Sequence, residues 1–222
     1  MSHSIVEANI LSKDFEYLPP FFYHNAFALR CELGIGDTPE EYRDSAQQRA
    51  MEIYRLLFPD GSDALFFDYW LYDDCLSECP EPESESVGNQ QELHNATIED
   101  GIASMRFLFR FQEQYRHIVV RDLPGFDDDE DNAVLRRNRV VCYADGKVFD
   151  AESIISDQLD CQTNPLVSFV SFEKDLIFSV YDDRGCDIVF STHEAMAALY
   201  KKLEPYFLDY DSEEMVRRLR KE

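Results

Sequence analysis

Short apolar runs, each bounded by turn-forming residues, recur along most of the chain. Runs rich in β-branched and aromatic side chains are typical of β-strands. They cover Phe27 to Leu33, Ala64 to Tyr72, Met105 to Phe111, His117 to Leu123, Arg139 to Ala144, Leu166 to Phe172, Leu176 to Tyr181 and Asp187 to Phe190. The polar positions between them predict loops and tight turns.

Two segments in the first two thirds of the chain carry helix signals instead. Thr38 can cap a helix, Pro39 suits the first helical position and Glu41 completes a capping box. Apolar residues then recur on one face, which predicts a helix to about Phe58. Asp150 can cap a second helix, from Ala151 to about Leu159.

The C-terminal quarter predicts two further helices. Ser191 to Glu194 is typical of a second capping box, which opens a helix with an apolar face. A last helix starts at Ser212 and ends in arginines, whose charge favours the negative end of the helix dipole. A fifth, short helix is expected around Ile98 to Ser104.

These strands and helices show no regular strand-helix-strand alternation. That pattern favours an α+β fold with a largely antiparallel sheet flanked by four or five helices. A chain of 222 residues with 45% hydrophobic residues can bury one sizeable core. We therefore expect a single domain over residues 1–222.

The stretch from Phe178 to Phe190 is the most strongly patterned part of the chain. Two apolar runs flank Asp182, Asp183, Arg184 and Gly185, a composition that predicts a β-hairpin. Gly185 is expected to supply a positive φ in the turn.

The hairpin also carries a family resemblance. Tyr181-Asp182-Asp183-Arg184-Gly185-x-Asp187, followed by Leu199-Tyr200-x-x-Leu203 and Leu208-Asp209-Tyr210-Asp211, resembles the signature of an uncharacterised bacterial domain family. The N-terminal Ala28-Leu29-Arg30-Cys31-Glu32-Leu33-Gly34 is similar to that family's opening. The resemblance spans most of the chain except about residues 74–135. It implies a small bacterial cytoplasmic protein, with immunity or accessory proteins of toxin systems among its relatives.

The charge balance changes the functional picture most. The chain has 45 acidic and 21 basic residues, a formal net charge of −24. Such a surface repels phosphate backbones and anionic lipids, so we expect no nucleic-acid partner and no membrane partner. The charge either keeps the protein soluble or recognises a basic protein partner, and composition alone does not distinguish the two.

Two acidic loops are predicted, near residues 74–95 and 124–136. Their composition cannot bury enough apolar surface to offset the entropy of ordering. The candidate binding residues are Asp127, Asp128, Asp129, Glu130, Asp131, Glu81, Glu83 and Glu85.

The N-terminal residues lack the basic start and apolar run of a secretory signal. No apolar stretch approaches the roughly 18 residues of a membrane span. The six cysteines are scattered over a chain with a large core, which is typical of reduced thiols. We therefore expect a cytoplasmic protein.

The motifs for metals and cofactors are incomplete. Asp127, Asp129 and Asp131 fit the start of a calcium-binding EF-hand loop, but Asn132 stands where glycine is needed and Asn138 where glutamate is needed. The cluster of acidic residues still allows weak, nonspecific cation binding. We expect no metal site here.

Other motifs fail in a similar way. Gly34-Ile35-Gly36 lacks the third glycine of a dinucleotide site, and His193-Glu194 lacks the second histidine of a zinc helix because Ala197 takes its place. Cys75 and Cys79 have no second pair at metal spacing. We therefore expect no cofactor and identify no catalytic residue.

The polar hairpin cluster has two interpretations. Asp182, Asp183, Arg184 and Asp187, next to Tyr181 and Gly185, either form a structural motif that fixes the turn or bind a metal and act as acid and base. The leading hypothesis is a non-catalytic, immunity-type inhibitor that binds and neutralises a basic toxin domain. The alternatives are a hydrolase that uses the hairpin cluster, with or without a metal, and an accessory domain whose partner is not basic.

Overall fold

The computed structural model describes residues 5–11, 21–72, 115–123, 135–143, 149–160 and 166–220, with the backbone alone for 67–72, 115–123 and 135–139. The strands are β1 (Ala28–Glu32), β2 (Ala64–Tyr72), β3 (Tyr115–Leu123), β4 (Leu135–Tyr143), β5 (Leu166–Ser171), β6 (Leu176–Asp182) and β7 (Gly185–Phe190). The helices are α1 (Ile5–Ile10), α2 (Phe21–His24), α3 (Pro39–Leu57), α4 (Ala151–Leu159), α5 (His193–Leu203) and α6 (Ser212–Arg220).

The seven strands form one sheet in the order β1-β7-β6-β5-β2-β4-β3. Every pairing is antiparallel. Strands β5, β6 and β7 follow one another as a meander, whereas β1 pairs with β7 from the far end of the sequence. The predicted α+β fold with a largely antiparallel sheet is confirmed.

The two faces of the sheet are covered by different helices. One face, which we call the α3 face, contains Phe169 and Phe178, whose rings pack against Tyr54 and Phe58 of α3. Phe66 lies on the opposite face, which we call the α2 face, and its ring centroid is 6.3 Å from that of Phe21 in α2. Because side chains alternate along each strand, the register assigns every central residue to one of these layers.

Helix α3 begins as its sequence predicts. Thr38 adopts an extended conformation, and its hydroxyl accepts the backbone N–H of Glu41 at 3.2 Å. The Glu41 carboxylate in turn accepts the backbone N–H of Thr38 at 3.2 Å. Both bonds of the capping box are present, and they fix where the chain turns from β1 into α3.

The start of α5 differs from the prediction. Thr192, and not Ser191, is the N-cap residue, and its hydroxyl accepts the backbone N–H of Ala195 at 3.2 Å. The predicted capping box from Ser191 to Glu194 is therefore wrong by one residue. Ser191 is instead still bound to the end of the sheet, since its backbone N–H donates to the carbonyl oxygen of Asp175 at 3.0 Å.

The other predicted elements agree in type and differ at their ends. Asp150 caps α4 by accepting the N–H of Ser153 at 3.1 Å. Strand β4 starts at Leu135 and β7 at Gly185, each earlier than its apolar run. The strand predicted over 105–111 and the helix predicted over 98–104 lie outside the described residues. Among the helices of the described part, none is long and apolar enough to cross a membrane.

Removing the cap hydroxyl should weaken α3. The substitution Thr38→Ala is expected to lower the free energy of unfolding by about 1 kcal/mol, because the N–H of Glu41 loses its partner. Urea denaturation followed by circular dichroism measures this loss. Thr38→Ser retains the hydroxyl and should stay near the wild-type value, and equal losses for the two variants would contradict the capping role.

Candidate functional site

The hairpin between β6 and β7 holds the polar cluster that the sequence singles out. Asp182 accepts the backbone N–H of Arg184 at 2.8 Å and its Nε–H at 2.8 Å, and it also pairs with the Nη2 group. The Arg184 side chain is 75% exposed. These bonds close the two-residue turn, which is the structural interpretation of the Asp-Arg pair.

Gly185 is required for a reason that the sequence does not reveal. Its φ is not positive, unlike that of Gly36 and Gly61. A Cβ at position 185 would instead lie 2.2 Å from the Tyr181 hydroxyl and 2.7 Å from the carbonyl oxygen of Cys31. The prediction of a positive φ at Gly185 is therefore wrong. Close packing excludes a side chain at this position.

Asp187 points away from the turn and faces β1. It is the direct partner of Arg30 in the β1–β7 ladder. Backbone bonds join Leu33 to Arg184 and Phe190 to Phe27, which places Arg30 and Asp187 in a non-hydrogen-bonded pair. Facing side chains approach most closely at such pairs.

The carboxylate of Asp187 is fully engaged. It accepts the Nε–H of Arg30 at 2.8 Å, an Nη2–H of Arg30 at 3.2 Å and the backbone N–H of Phe22 at 3.0 Å. The Asp187 side chain is 1% exposed and that of Arg30 is 10% exposed. A two-pronged ion pair therefore lies buried between the sheet and α2.

Aromatic rings enclose the Arg30 guanidinium. Its central carbon lies 5.0 Å from the ring centroid of Phe22, 4.6 Å from that of Tyr23 and 5.3 Å from that of Tyr181. The negative faces of such rings attract a cation. A second carboxylate, that of Asp211, has Oδ2 3.6 Å from Nη1 of Arg30.

The pKa values of this pair reflect both burial and pairing. Burial lowers the pKa of Arg30, but the hydrogen bonds and charge of Asp187 raise it further, so that it ends above its ordinary value. Burial raises the pKa of Asp187, against the opposing pull of Arg30 and of the Phe22 N–H. The guanidinium therefore stays charged at any pH at which the protein is folded.

The ion pair continues as a row of polar side chains across the α2 face. Ser168, Ser179, Asp187 and Arg30 are successive partners on β5, β6, β7 and β1. All four are buried, and the hydroxyls of both serines have no hydrogen-bond partner among the described residues. A shift of one residue in any of these pairings would move a polar side chain to the α3 face, so the row fixes the register.

The predicted hairpin cluster therefore does not form one site. Asp182 and Arg184 close the turn at the surface, Asp183 is partly exposed beside them, and Asp187 lies in the buried pair. The predicted binding residues of the acidic loops, Asp127 to Asp131 with Glu81, Glu83 and Glu85, lie outside the described residues.

Sequence reasoning missed the other two members of the buried network, Arg30, which pairs with Asp187, and Asp211, which lies near Arg30. Arg30 stands in a strand whose neighbours are apolar, and a lone charge at such a position indicates a buried partner. Asp211 belongs to the Leu208-Asp209-Tyr210-Asp211 stretch, which was noted only as part of a resemblance. No pattern in the sequence around Arg30 or Asp211 predicts that the two residues lie close together.

A groove of about 710 Å³ lies between α3 and α4, and we call it the acidic groove. Its lining residues are Arg43, Asp44, Gln47, Asp150, Glu152, Ser153, Ser156 and Asp157. Arg43 is already bound, through Nε at 3.0 Å and Nη2 at 2.7 Å, to one carboxylate oxygen of Asp160. Four carboxylates thus line the groove. The charge of its one guanidinium, that of Arg43, is balanced by Asp160 at the edge of the groove.

A second groove, of about 880 Å³, lies between α2, α5 and α6. At its floor Glu214 accepts hydrogen bonds from Arg217 and Arg218, each at 2.7 Å. Arg218 also donates to the carbonyl oxygens of Phe22 at 2.7 Å and Asn25 at 2.9 Å. Glu214 and Arg218 therefore fasten α6 to the end of α2, and the arginines lower the pKa of Glu214 to about 2.

Within the described part of the chain, no group of three or more histidine, cysteine, aspartate or glutamate residues could hold a metal ion. The carboxylates of Asp182, Asp187 and Glu214 are instead each paired with an arginine. The acidic groove is lined by four carboxylates and one guanidinium, so its lining carries a net negative charge.

The comparison with protein families gives one match. Residues 8–211 match the model of a family described as "Domain of unknown function (DUF3885)". This chain belongs to that family. The matched range contains Arg30, Asp187 and Asp211, so the whole buried network lies within the family domain.

One curated relative is similar over a short range. It is "Uncharacterized protein YnaE" of Bacillus subtilis (strain 168), which is 39% identical over 46 residues. These residues are 21% of this chain and 22% of the relative, so the similarity spans about a fifth of each protein. No solved structure matches the chain.

The buried and exposed ion pairs should differ sharply in their effect on stability. Asp187→Asn is expected to lower the free energy of unfolding by about 3 kcal/mol, because it leaves the buried charge of Arg30 without its main partner. Arg184→Ala removes an exposed partner of Asp182 and should cost less than about 1 kcal/mol. Chemical denaturation of both variants gives the comparison, and equal losses would contradict the central role of the buried pair.

The Glu214 contacts predict a pH dependence. A carboxylate whose pKa is lowered by folding stabilises the protein above its ordinary pKa of 4.5 and loses this effect as the pH falls toward about 2. The stability difference between wild type and Glu214→Gln should therefore shrink over that range. Urea midpoints at pH 5, 4 and 3 measure it, with Arg217→Gln as the reciprocal variant. A difference that stays constant with pH would contradict the proposed contacts.

Proposed function

We propose that this protein is a non-catalytic inhibitor of the immunity type, which binds a basic protein domain and neutralises it. The observation that carries the proposal is the acidic groove between α3 and α4. Its size suits the insertion of several side chains of a partner, and its carboxylates suit lysine and arginine.

The rigidity of the groove supports this role. Its two walls are helices with side-chain caps, at Thr38 for α3 and at Asp150 for α4. The Arg43–Asp160 ion pair and the bond from Arg43 to the Ser156 carbonyl oxygen at 3.2 Å join the walls. A preformed site loses little conformational entropy on binding, which favours tight association.

The charge of the whole chain supports the same role. A net charge of −24 steers a cationic protein toward the surface and raises the rate of association. Residues 124–134 contain five acidic residues and no basic one, and they lie outside the described part. The loops containing Asp127 to Asp131 and Glu81 to Glu85 are proposed as further contacts of the same basic partner.

The remaining parts of the proposal follow from this chemistry. The negative net charge of the chain fits a basic protein partner and does not fit a nucleic acid. The free cysteines fit a cytoplasmic location. We propose a toxin domain as the partner. An inhibitor of the immunity type would act by covering the basic surface that such a domain uses.

The alternative of a hydrolase has less support from the geometry. Asp182 is bound to Arg184 and Asp187 to Arg30, so each carboxylate is engaged by a cation. Neither the acidic groove nor the groove between α2, α5 and α6 is lined by these residues. Retention of all function in an Asp183→Asn variant would remove the remaining basis for that alternative.

Co-expression with the product of the gene immediately upstream tests the proposal. We expect that product to be toxic alone, and to be harmless and co-purified with this protein. Binding should weaken at least tenfold between 50 and 500 mM salt, because exposed charges are screened. Absence of both toxicity and co-purification would count against the inhibitor role.

A matched pair of variants locates the contact. Asp44→Asn with Glu152→Gln removes two exposed charges from the acidic groove and leaves both helix caps in place. Asp60→Asn with Glu173→Gln removes two exposed charges elsewhere. The groove variant should bind at least tenfold more weakly than the control variant, as measured by calorimetry, whereas equal affinities would exclude the groove as the contact.

A further inference from the structure

Two cysteines face each other next to the buried ion pair. Cys31 on β1 and Cys186 on β7 are direct partners in the ladder, one residue from Arg30 and Asp187. Because side chains alternate, the thiols lie on the α3 face and the ion pair on the α2 face. Both cysteines are free and fully buried.

The ladder geometry suits a covalent bond between them. The backbone bonds from Leu33 to Arg184 and from Phe190 to Phe27 make Cys31 and Cys186 a hydrogen-bonded pair. The Cα atoms of such a pair are about 5.5 Å apart. Disulfides are found with Cα atoms about 4.4–6.8 Å apart, so the Cα spacing fits, and the strands must shift only far enough to bring the Cβ atoms to about 3.5–4.5 Å.

We propose that Cys31 and Cys186 are an oxidation site, at which a peroxide converts the two thiols into a reversible disulfide that locks β1 to the β6–β7 hairpin. In the first step one thiol sulfur attacks the peroxide oxygen, which gives a sulfenic acid and releases water. In the second step the other thiol displaces that hydroxyl as water. Both sulfurs together lose two electrons, and one molecule of hydrogen peroxide yields two molecules of water.

Burial controls the rate of this reaction. It raises the pKa of the Cys186 thiol well above the ordinary value, so little thiolate is present. Oxidation is therefore slow in the closed protein and proceeds through local opening of β1. Beyond its ladder with β7, β1 is held by the ion pair of Arg30 with Asp187, by an isolated bridge between Cys31 and Phe207 and by a bond from Arg49 to the carbonyl oxygen of Glu32 at 2.9 Å, so this opening is infrequent.

Cys142 provides an internal comparison. It is buried on β4, and burial raises its pKa to about 12. Its ladder partners are Leu65 on β2 and Tyr115 on β3, and neither is a cysteine. Cys142 therefore shares the burial of Cys31 and Cys186 and lacks a facing thiol.

The test treats the full-length, folded protein with hydrogen peroxide, blocks the remaining thiols by alkylation and maps the tryptic peptides by mass spectrometry. We expect a cross-linked species that joins the peptides of Cys31 and Cys186 and disappears with dithiothreitol. The melting temperature of the oxidised protein should rise by about 5–10 °C, since the bond links residues far apart in sequence.

The variants keep the test specific. Cys31→Ala and Cys186→Ala should each abolish the cross-link and the rise in melting temperature, whereas Cys142→Ala should retain both. Peptide mapping of the wild type decides the matter even if a variant does not fold. The proposal is overturned by the absence of this cross-link, by a disulfide of Cys75, Cys79 or Cys161 in its place, or by a cross-link found only in urea.

Discussion

The ion pair between Arg30 and Asp187 is the interaction on which the rest of the structure depends. Each charge would be costly to bury alone, so β1 and the hairpin must meet for either to be accommodated. The same pair collects other segments, because Asp187 accepts the N–H of Phe22 at the start of α2. The segment before α6 adds Asp211, and Met215 of α6 accepts the backbone N–H of Arg30 at 3.4 Å. One buried contact thus joins the two ends of the chain to the sheet.

The antiparallel ladder gives the two sides of the sheet different chemistry. On the α2 face, a row of polar side chains ends in the ion pair. The α3 face carries both the cysteine pair and the stacked rings of Phe169 and Phe178. Successive residues of the same two strands supply both features, so any change in the β1–β7 register would disrupt both together.

Charged residues fall into two groups, those paired inside the protein and those exposed at its surface. The hairpin and the buried network pair their charges internally, as Asp182 with Arg184 and Asp187 with Arg30. In the acidic groove, by contrast, Asp44 of α3 and Glu152 of α4 are exposed. Membership in a family described only as a domain of unknown function is consistent with a shared scaffold, on which the exposed surface decides the partner.

The sequence by itself determined those features that depend on neighbouring residues. The capping box of Thr38 and Glu41, the cap at Asp150 and the turn of the hairpin are local, so residue type and spacing suffice to predict them. Only the tertiary structure decided that Arg30 and Asp187, 157 residues apart, would face each other, that Cys31 would face Cys186, and that α3 and α4 would enclose a groove. Gly185 illustrates the physical reason. A local turn pattern predicts a glycine at this position, but the atoms that exclude a side chain there include the carbonyl oxygen of Cys31, which lies on another strand.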